Sequence, residues 1–234
     1  MRREKSQKRT LTALEQTSPE SVYPGYGFVM GKARVKKLYN IGARVFDTLM
    51  RLWIAAVAAE AERELSEFLR GNLDETTTIL ELGCGTARNL ENIRSIDLKF
   101  KKYLGLDFSP SMLDVARSKF PDNPSVEFRE QDTTTLDCIK EKFDIILCTW
   151  VLSHLSSPLS LVNRAQGFLK ENGRFFLIFF TTPKWYVNIW LYPVVTYLFS
   201  AKPVVEEEVR KFKNIKARHN YASNITSYVE IHEW

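Results

Sequence analysis

The chain is poor in cysteine and carries no long uninterrupted apolar run. Cys84, Cys138 and Cys148 are its three cysteines in 234 residues, and none forms a C-x-x-C pair. A sparse and odd set argues against a disulfide framework and for a reducing, cytoplasmic setting. No metal-ligand spacing is seen, so no metal is expected. No apolar region follows the basic N-terminal residues, so no secretory signal is expected. The stretch "WYVNIWLYPVVTYLF", Trp185 to Phe199, is interrupted by Asn188 and Pro193. It is shorter than the ~20 apolar residues that a spanning helix needs. No repeat of solenoid period and no low-complexity tract occurs.

Hydrophobic residues make up 44% and charged residues 26%, which suits a chain that buries a full core. The charge is uneven. Between Met1 and Lys37 nine Lys or Arg stand against three Glu, a net of +6. The total is +5, so the remainder is near −1. Residues 1–31 read as a basic irregular arm, punctuated by Ser18-Pro19, Pro24-Gly25 and Gly27. Such an arm either stays solvated or meets an anionic surface, lipid more than nucleic acid.

Residues 32–72 read as a helical segment. Leu38, Ile41, Val45, Leu49, Leu52 and Val57 recur at helical steps, and Gly71-Asn72 closes the run. From residue 73 short apolar strands alternate with helices. Strands are expected at Thr77–Leu82, Tyr103–Asp107, Val126–Gln131, Phe143–Cys148 and in "RFFLIFF" after the Asn172-Gly173 turn. Helices are expected at Ala87–Ser95, Ser109–Lys119 and Pro158–Leu169. This alternation means a doubly wound, Rossmann-like α/β fold with a parallel sheet covered on both faces. Two alternating tail segments, Ile215–Tyr221 and Ile225–Ile231, are expected to pair antiparallel.

The ligand site of such a sheet lies at the carboxyl ends of its strands, where strand order reverses. The segment "TILELGCGTARNL" ends the first strand there. Gly83 and Gly85 flank Cys84 and let the backbone approach a ligand. Glu81 precedes them. A carboxylate there is unwelcome to a pyrophosphate and welcome to an ammonium or a sulfonium-bearing amino acid. The third glycine of G-x-G-x-x-G is replaced by Arg88, which also speaks against a dinucleotide. Asp107 ends the second strand, 22 residues after Gly85, where an acid can accept both hydroxyls of a ribose. Asp132, preceded by Gln131, ends the third, where a carboxylate can accept from an exocyclic amine. Each acid alone can equally be a solvated strand end.

"ILELGCGTARNL", "YLGLDFSPSMLDVARSKF", "VEFREQD", "FDIILCTWVLSHL" and "FLKENGRFFLIFF" together resemble the class I S-adenosylmethionine-dependent methyltransferases. The resemblance spans Thr77 to Phe180 and implies seven strands, one of them inserted antiparallel at the end. It implies that Glu81, Gly83, Cys84 and Gly85 serve the methionine end of S-adenosyl-L-methionine. Asp107 would hold the ribose, Phe108 and Met112 would flank the adenine, and Gln131 and Asp132 would meet its edge. Thr149 and Trp150 would border the methyl group. Ala87 stands where many members have glycine, and alanine is expected to fit a helix start.

"LYNIGARVFDTL" is similar to a Y-D-x-x-A-x-x-Y-D segment that opens the quinone-biosynthesis and phospholipid methyltransferases. Tyr39, Ala43, Phe46 and Asp47 fall in register, and the resemblance implies a helical lid over the cofactor. His154 is the titrating side chain expected near the methyl group, either as a general base or as a cap of its loop. No N-P-P-Y signature follows the fourth strand, which disfavours methylation of bases or glutamine. The expected acceptor is a small or lipid-like molecule: an amine headgroup, a quinone-type ring or a hydroxyl. The aromatic insertion near 183–203 would line its pocket or touch a membrane. A catalytically silent cofactor-binding module and a nicotinamide-dependent dehydrogenase are the other classes considered.

Overall fold

The computed structural model describes residues 52, 54–137, 139–182, 184 and 201–233. The basic arm, Tyr39, the start of the helical segment, Cys138 and the Trp185–Phe199 stretch lie outside the described residues. A π-helical turn at Ile54–Ala58 leads into α1 (Ala59–Asn72). Then follow β1 (Thr78–Leu82), α2 (Arg88–Ser95), β2 (Lys102–Asp107), α3 (Pro110–Lys119) and β3 (Val126–Glu130). β4 (Phe143–Thr149), a 3-10 turn at Leu152–His154, α4 (Pro158–Gln166) and β5 (Leu169–Phe180) come next. A short α5 (Glu206–Val209), β6 (Ile215–Tyr221) and β7 (Thr226–His232) close the described chain.

The seven strands form one sheet in the order β3-β2-β1-β4-β5-β7-β6. The first five run parallel. β7 inserts antiparallel beside β5 and pairs antiparallel with β6. Strand order reverses between β1 and β4, which fixes where a ligand can enter.

Successive residues of β1 feed opposite faces of the sheet, as the two-residue period requires. Ile79 joins Tyr103, Ile145 and Phe176 under α1 and α2. Leu80 and Leu82 join Leu104, Ile146 and Phe175 under α4. α1 contributes Ala61, Leu65, Phe68 and Leu69, a stripe at helical spacing, with Phe68 and Phe176 ring centroids 4.7 Å apart. Fully burying each large side chain stabilises the fold by roughly 1.5–3 kcal/mol. This packing, more than propensity, holds α1 to the sheet. α3 starts where Ser109 accepts from the Met112 N–H, with Pro110 next, where its missing N–H leaves no helix bond unmade.

Two local expectations change. The turn at Asn172-Gly173 lies inside β5 as a bulge: Phe143 pairs with Leu169, but Ile145 pairs with Arg174. Asn172 has φ +60°, and a Cβ at Gly173 would lie 2.8 Å from the Lys170 carbonyl oxygen. Ala87 does not sit in an ordinary helix start. It precedes α2 in the left-handed region, at φ +62° and ψ +39°. Its methyl is fully buried, so packing holds a conformation that glycine would adopt without strain.

Candidate active site

β1 ends in Glu81-Leu82, and the chain turns through Gly83 and Gly85, both at positive φ. Gly83 has no room for a side chain: a Cβ would lie 2.2 Å from Val151 Cγ2. Among the described residues a Cβ at Gly85 would meet nothing within 4 Å. The loop and the ends of β2 and β4 border a cleft at the carboxyl ends of the strands, where sheets of this kind hold their ligands.

Glu81, Gly83, Cys84, Gly85, Asp107, Phe108, Met112, Thr149, Trp150 and His154 line this cleft. The fold thus gathers ten of the residues singled out from sequence. Gln131 and Asp132 are not in its wall. Asp132 Oδ1 accepts from the N–H and the hydroxyl of Thr134, and Gln131 Nε2 donates to Thr135 Oγ1. The strand end therefore tightens its own turn, and Thr133 is the wall residue there. Tyr39 lies outside the described residues.

Both acids of the cleft are buried. Glu81 Oε2 accepts from the Tyr103 hydroxyl at 2.5 Å, and Oε1 accepts from Asn89 Nδ2 at 2.8 Å. Burial pushes its carboxyl up to about 7, against the pull of these two donors and of Arg88. Asp107 Oδ2 accepts from the Gly85 N–H at 3.0 Å, and Oδ1 from the Ser109 N–H at 2.8 Å. Burial pushes Asp107 up to about 6, against these backbone donors. Cys84 is buried, and its thiol is raised first by burial and then by Asp107 and Glu81, so it stands in the wall as a neutral, small apolar group.

Trp150 leaves β4 at φ +68°, a rare conformation for a bulky residue. Two bonds hold it: its N–H donates to the Ile178 carbonyl at 2.7 Å, and its indole N–H to Glu62 Oε1 at 3.4 Å. Glu62, on α1, also receives Arg88 in a two-pronged pair at 2.7 and 3.0 Å. One carboxylate of the covering helix thus orients two residues of the wall. His154 is buried at the end of the 3-10 turn, on the same side as Trp150 and Thr149.

The reading from sequence did not single out Glu62, Tyr103, Asn89, Thr133 or Val151. Asn89 bridges Glu81 and Thr149. Its signal was a polar residue on the apolar face of α2, beside Leu90 and Ile93. Tyr103 had a similar one, a hydroxyl in an otherwise apolar strand. Glu62 had none, because nothing in a helix pattern shows which exposed-looking acid turns inward.

Residues 80–177 match the methyltransferase domain family. The chain is 27% identical over 146 residues to malonyl-(acyl-carrier protein) O-methyltransferase 1 of Ilyobacter polytropus, with 62% of this chain and 52% of that protein covered. It is 28% identical over 144 residues to the ubiquinone biosynthesis O-methyltransferase of Actinobacillus pleuropneumoniae, covering 57% and 58%. The chain therefore spans little more than half the length of these relatives. Magnesium protoporphyrin IX methyltransferase from Synechocystis, solved with bound S-adenosylhomocysteine, aligns with a TM-score of 0.65. That alignment covers 87% of this chain and all of the other at 16% identity, which is a likeness of fold. A glycine loop, two buried acids and the β1/β4 switch point meet in one cleft, and with the methyltransferase-domain match at 80–177 they support a class I S-adenosylmethionine-dependent methyltransferase.

Proposed function

We propose that this chain transfers the methyl group of S-adenosyl-L-methionine to a small or lipid-like acceptor. The observation that carries the reading is the pair of buried carboxylates, Glu81 and Asp107, facing one glycine-lined cleft. The residues fit that cofactor. A carboxylate held up near 7 by burial gains from a cation in reach, as the ammonium of an amino acid provides. Asp107 accepts from the backbone N–H groups of Gly85 and Ser109, with Phe108 a further backbone donor, and a carboxylate with about four acceptor sites keeps capacity for a ribose hydroxyl. Phe108 and Met112 offer apolar faces to a base, and the bare Gly85 backbone lets the ligand lie close. In this reading residues 32–72, with Tyr39, cover the cofactor.

The bound cofactor supplies an activated methyl group; the chain supplies alignment and exclusion of water. Trp150 and Thr149 border the transfer end, and among the described residues His154 is the side chain there able to take a proton from a hydroxyl acceptor. The two O-methyltransferase relatives support an oxygen acceptor. Calorimetry with S-adenosylhomocysteine and with NADH tests the class: the first should bind and the second should not. Binding of NADH alone would sink the reading in favour of a dehydrogenase. A chain that binds the cofactor yet transfers no label from it to a lipid extract would be a silent binding module.

Asp107→Ala should weaken S-adenosylhomocysteine by roughly 2–3 kcal/mol, since a hydroxyl pair loses a charged acceptor. The same change frees the Gly85 and Ser109 N–H groups, so Asp107→Asn, which keeps the size, is the companion variant. Unchanged affinity in both would show that the ribose is held elsewhere.

A membrane-held acceptor is the finer form of the proposal. It rests on sequence: Arg2, Arg3, Lys5, Lys8 and Arg9 at one end, and Trp185 and Trp190 in the aromatic insertion. No helix among the described residues is long and apolar enough to cross a membrane. Each basic residue adds about 1 kcal/mol near an anionic surface, screened over ~10 Å at 0.1 M salt. Deleting the first ten residues should reduce vesicle flotation mainly at low salt. Trp185→Ala with Trp190→Ala should reduce it at every salt concentration. A chain that never floats with anionic vesicles has no such contact.

A further inference from the structure

Glu81 is not held by the glycine loop that it introduces. Its two oxygens are held from the side, by Tyr103 of β2 and Asn89 of α2. In the sheet Glu81 lies opposite Gly105. A Cβ at Gly105 would stand 3.0 Å from Tyr103 Cε1 and 2.9 Å from both Phe128 Cδ1 and Cys84 Sγ. The bare position leaves a slot beside Glu81, and the Tyr103 ring occupies it. Phe128 packs edge-on against that ring, with centroids 6.0 Å apart. The ring is fully buried, so its hydroxyl has no water to turn to.

We infer that Tyr103 is a positioning residue for cofactor binding: its hydroxyl fixes the Glu81 carboxylate as an anion aimed at the ammonium of the ligand. The inference rests on the proposed function and adds to it the device that readies the acid. Tyr103 is a donor here and not a phenolate, because burial, and then the neighbouring Glu81 charge, raises its phenol well above its ordinary value. Other groups act on Glu81 as well. Arg88 favours its anion, while Glu62 opposes it. The Cys84 and Cys148 thiols stay protonated, both raised first by burial. Asp107 bears on Tyr103 and Cys84. Among the described residues Tyr103 makes the shortest contact to Glu81 and donates to Oε2, while Asn89 donates to Oε1.

The sign of the pH dependence follows from the acid. The ligand's ammonium needs the anion, and the free carboxyl takes up its proton as pH falls through about 7. Affinity should therefore be full above that value and decline below it. Removing the Tyr103 hydroxyl leaves Oε2 without its donor, so protonation extends to higher pH.

The test is titration calorimetry of the full chain and of Tyr103→Phe with S-adenosylhomocysteine, from pH 5.5 to 8.5. The intact chain should weaken below about pH 7. In the variant the midpoint should move up by about one pH unit or more, since a bond to a charged group is lost. Affinity should then be about fivefold lower or more at pH 7 and converge with that of the intact chain at the alkaline end. In buffers of differing ionisation enthalpy, the variant should release more protons on binding at pH 7. Superimposed profiles, or an equal loss at every pH with the same proton count, would overturn the inference, the latter as a packing effect. Failure of the intact chain to bind at any pH would overturn the proposed function with it; a binding chain indifferent to Tyr103→Phe overturns this inference alone.

Discussion

Replacing His154 by alanine is expected to lower methyl transfer about a hundredfold or more while cofactor affinity holds. The imidazole lies in the wall that Trp150 and Thr149 share, at the end of the 3-10 turn after β4. The turn is anchored on both sides. The His154 N–H donates to the Val151 carbonyl at 2.9 Å, and Ser153 Oγ accepts from the Phe180 N–H at 3.1 Å. The backbone that presents the ring is thus held independently of it, and alanine at 154 should leave the cleft in place. Transfer from a sulfonium needs a base only when the acceptor holds a proton at working pH. The measurement is the initial rate of label transfer from S-adenosylmethionine to a lipid extract, beside S-adenosylhomocysteine titrations. An unchanged rate would show that the acceptor carries no proton to be removed here. A parallel loss of cofactor affinity would show that the ring shapes the cleft.

Gly83→Ala is expected to be the most damaging small substitution in the cofactor loop. Two independent costs add. Alanine at φ +69° is strained by roughly 1–2 kcal/mol. Its methyl would also lie 2.2 Å from Val151 Cγ2, so the 3-10 segment must move or the loop must open. Overpacking of that kind costs typically ~1–3 kcal/mol. The sum, roughly 2–5 kcal/mol, is a large part of the stability of an ordinary domain. Chemical denaturation measures it. Adding Val151→Ala removes the methyl that is struck, so the double variant should regain part of the loss and keep the backbone share. If Gly83→Ala alone unfolds at the denaturant concentration of the parent, the close approach of the loop to Val151 is wrong. Gly85→Ala is the internal contrast: it has similar strain, at φ +53°, but meets nothing within 4 Å among the described residues. It should cost less stability and weaken the ligand instead.

The sequence by itself determined the alternation of strands and helices, because periods of two and of 3.6 residues are local properties of the chain. β6 has the limits expected from its alternation, and β1, β2 and β4 differ by one residue at one end. It also determined the glycine loop with its preceding acid, since the need for positive φ and for charge is written in residue types. Asp107 could be found because strand ends and a fixed spacing mark it. Other features needed the folded chain. Asp132 looked equivalent to Asp107 at the end of a strand, yet Asp107 lines the cleft and Asp132 does not, and only the path of the turn decides that. Ala87 reads as a good helix residue, and only the packing of α2 against the sheet forces it into the left-handed region. Glu62 comes to Arg88 and Trp150 across 26 and 88 residues of chain. Tyr103 reaches Glu81 because parallel pairing sets Gly105 opposite that acid and leaves room for a ring. Local patterns fix which way each side chain points along its own strand or helix. Which distant groups share a buried carboxylate depends on strand order and register, and those arise only when the whole sheet is assembled.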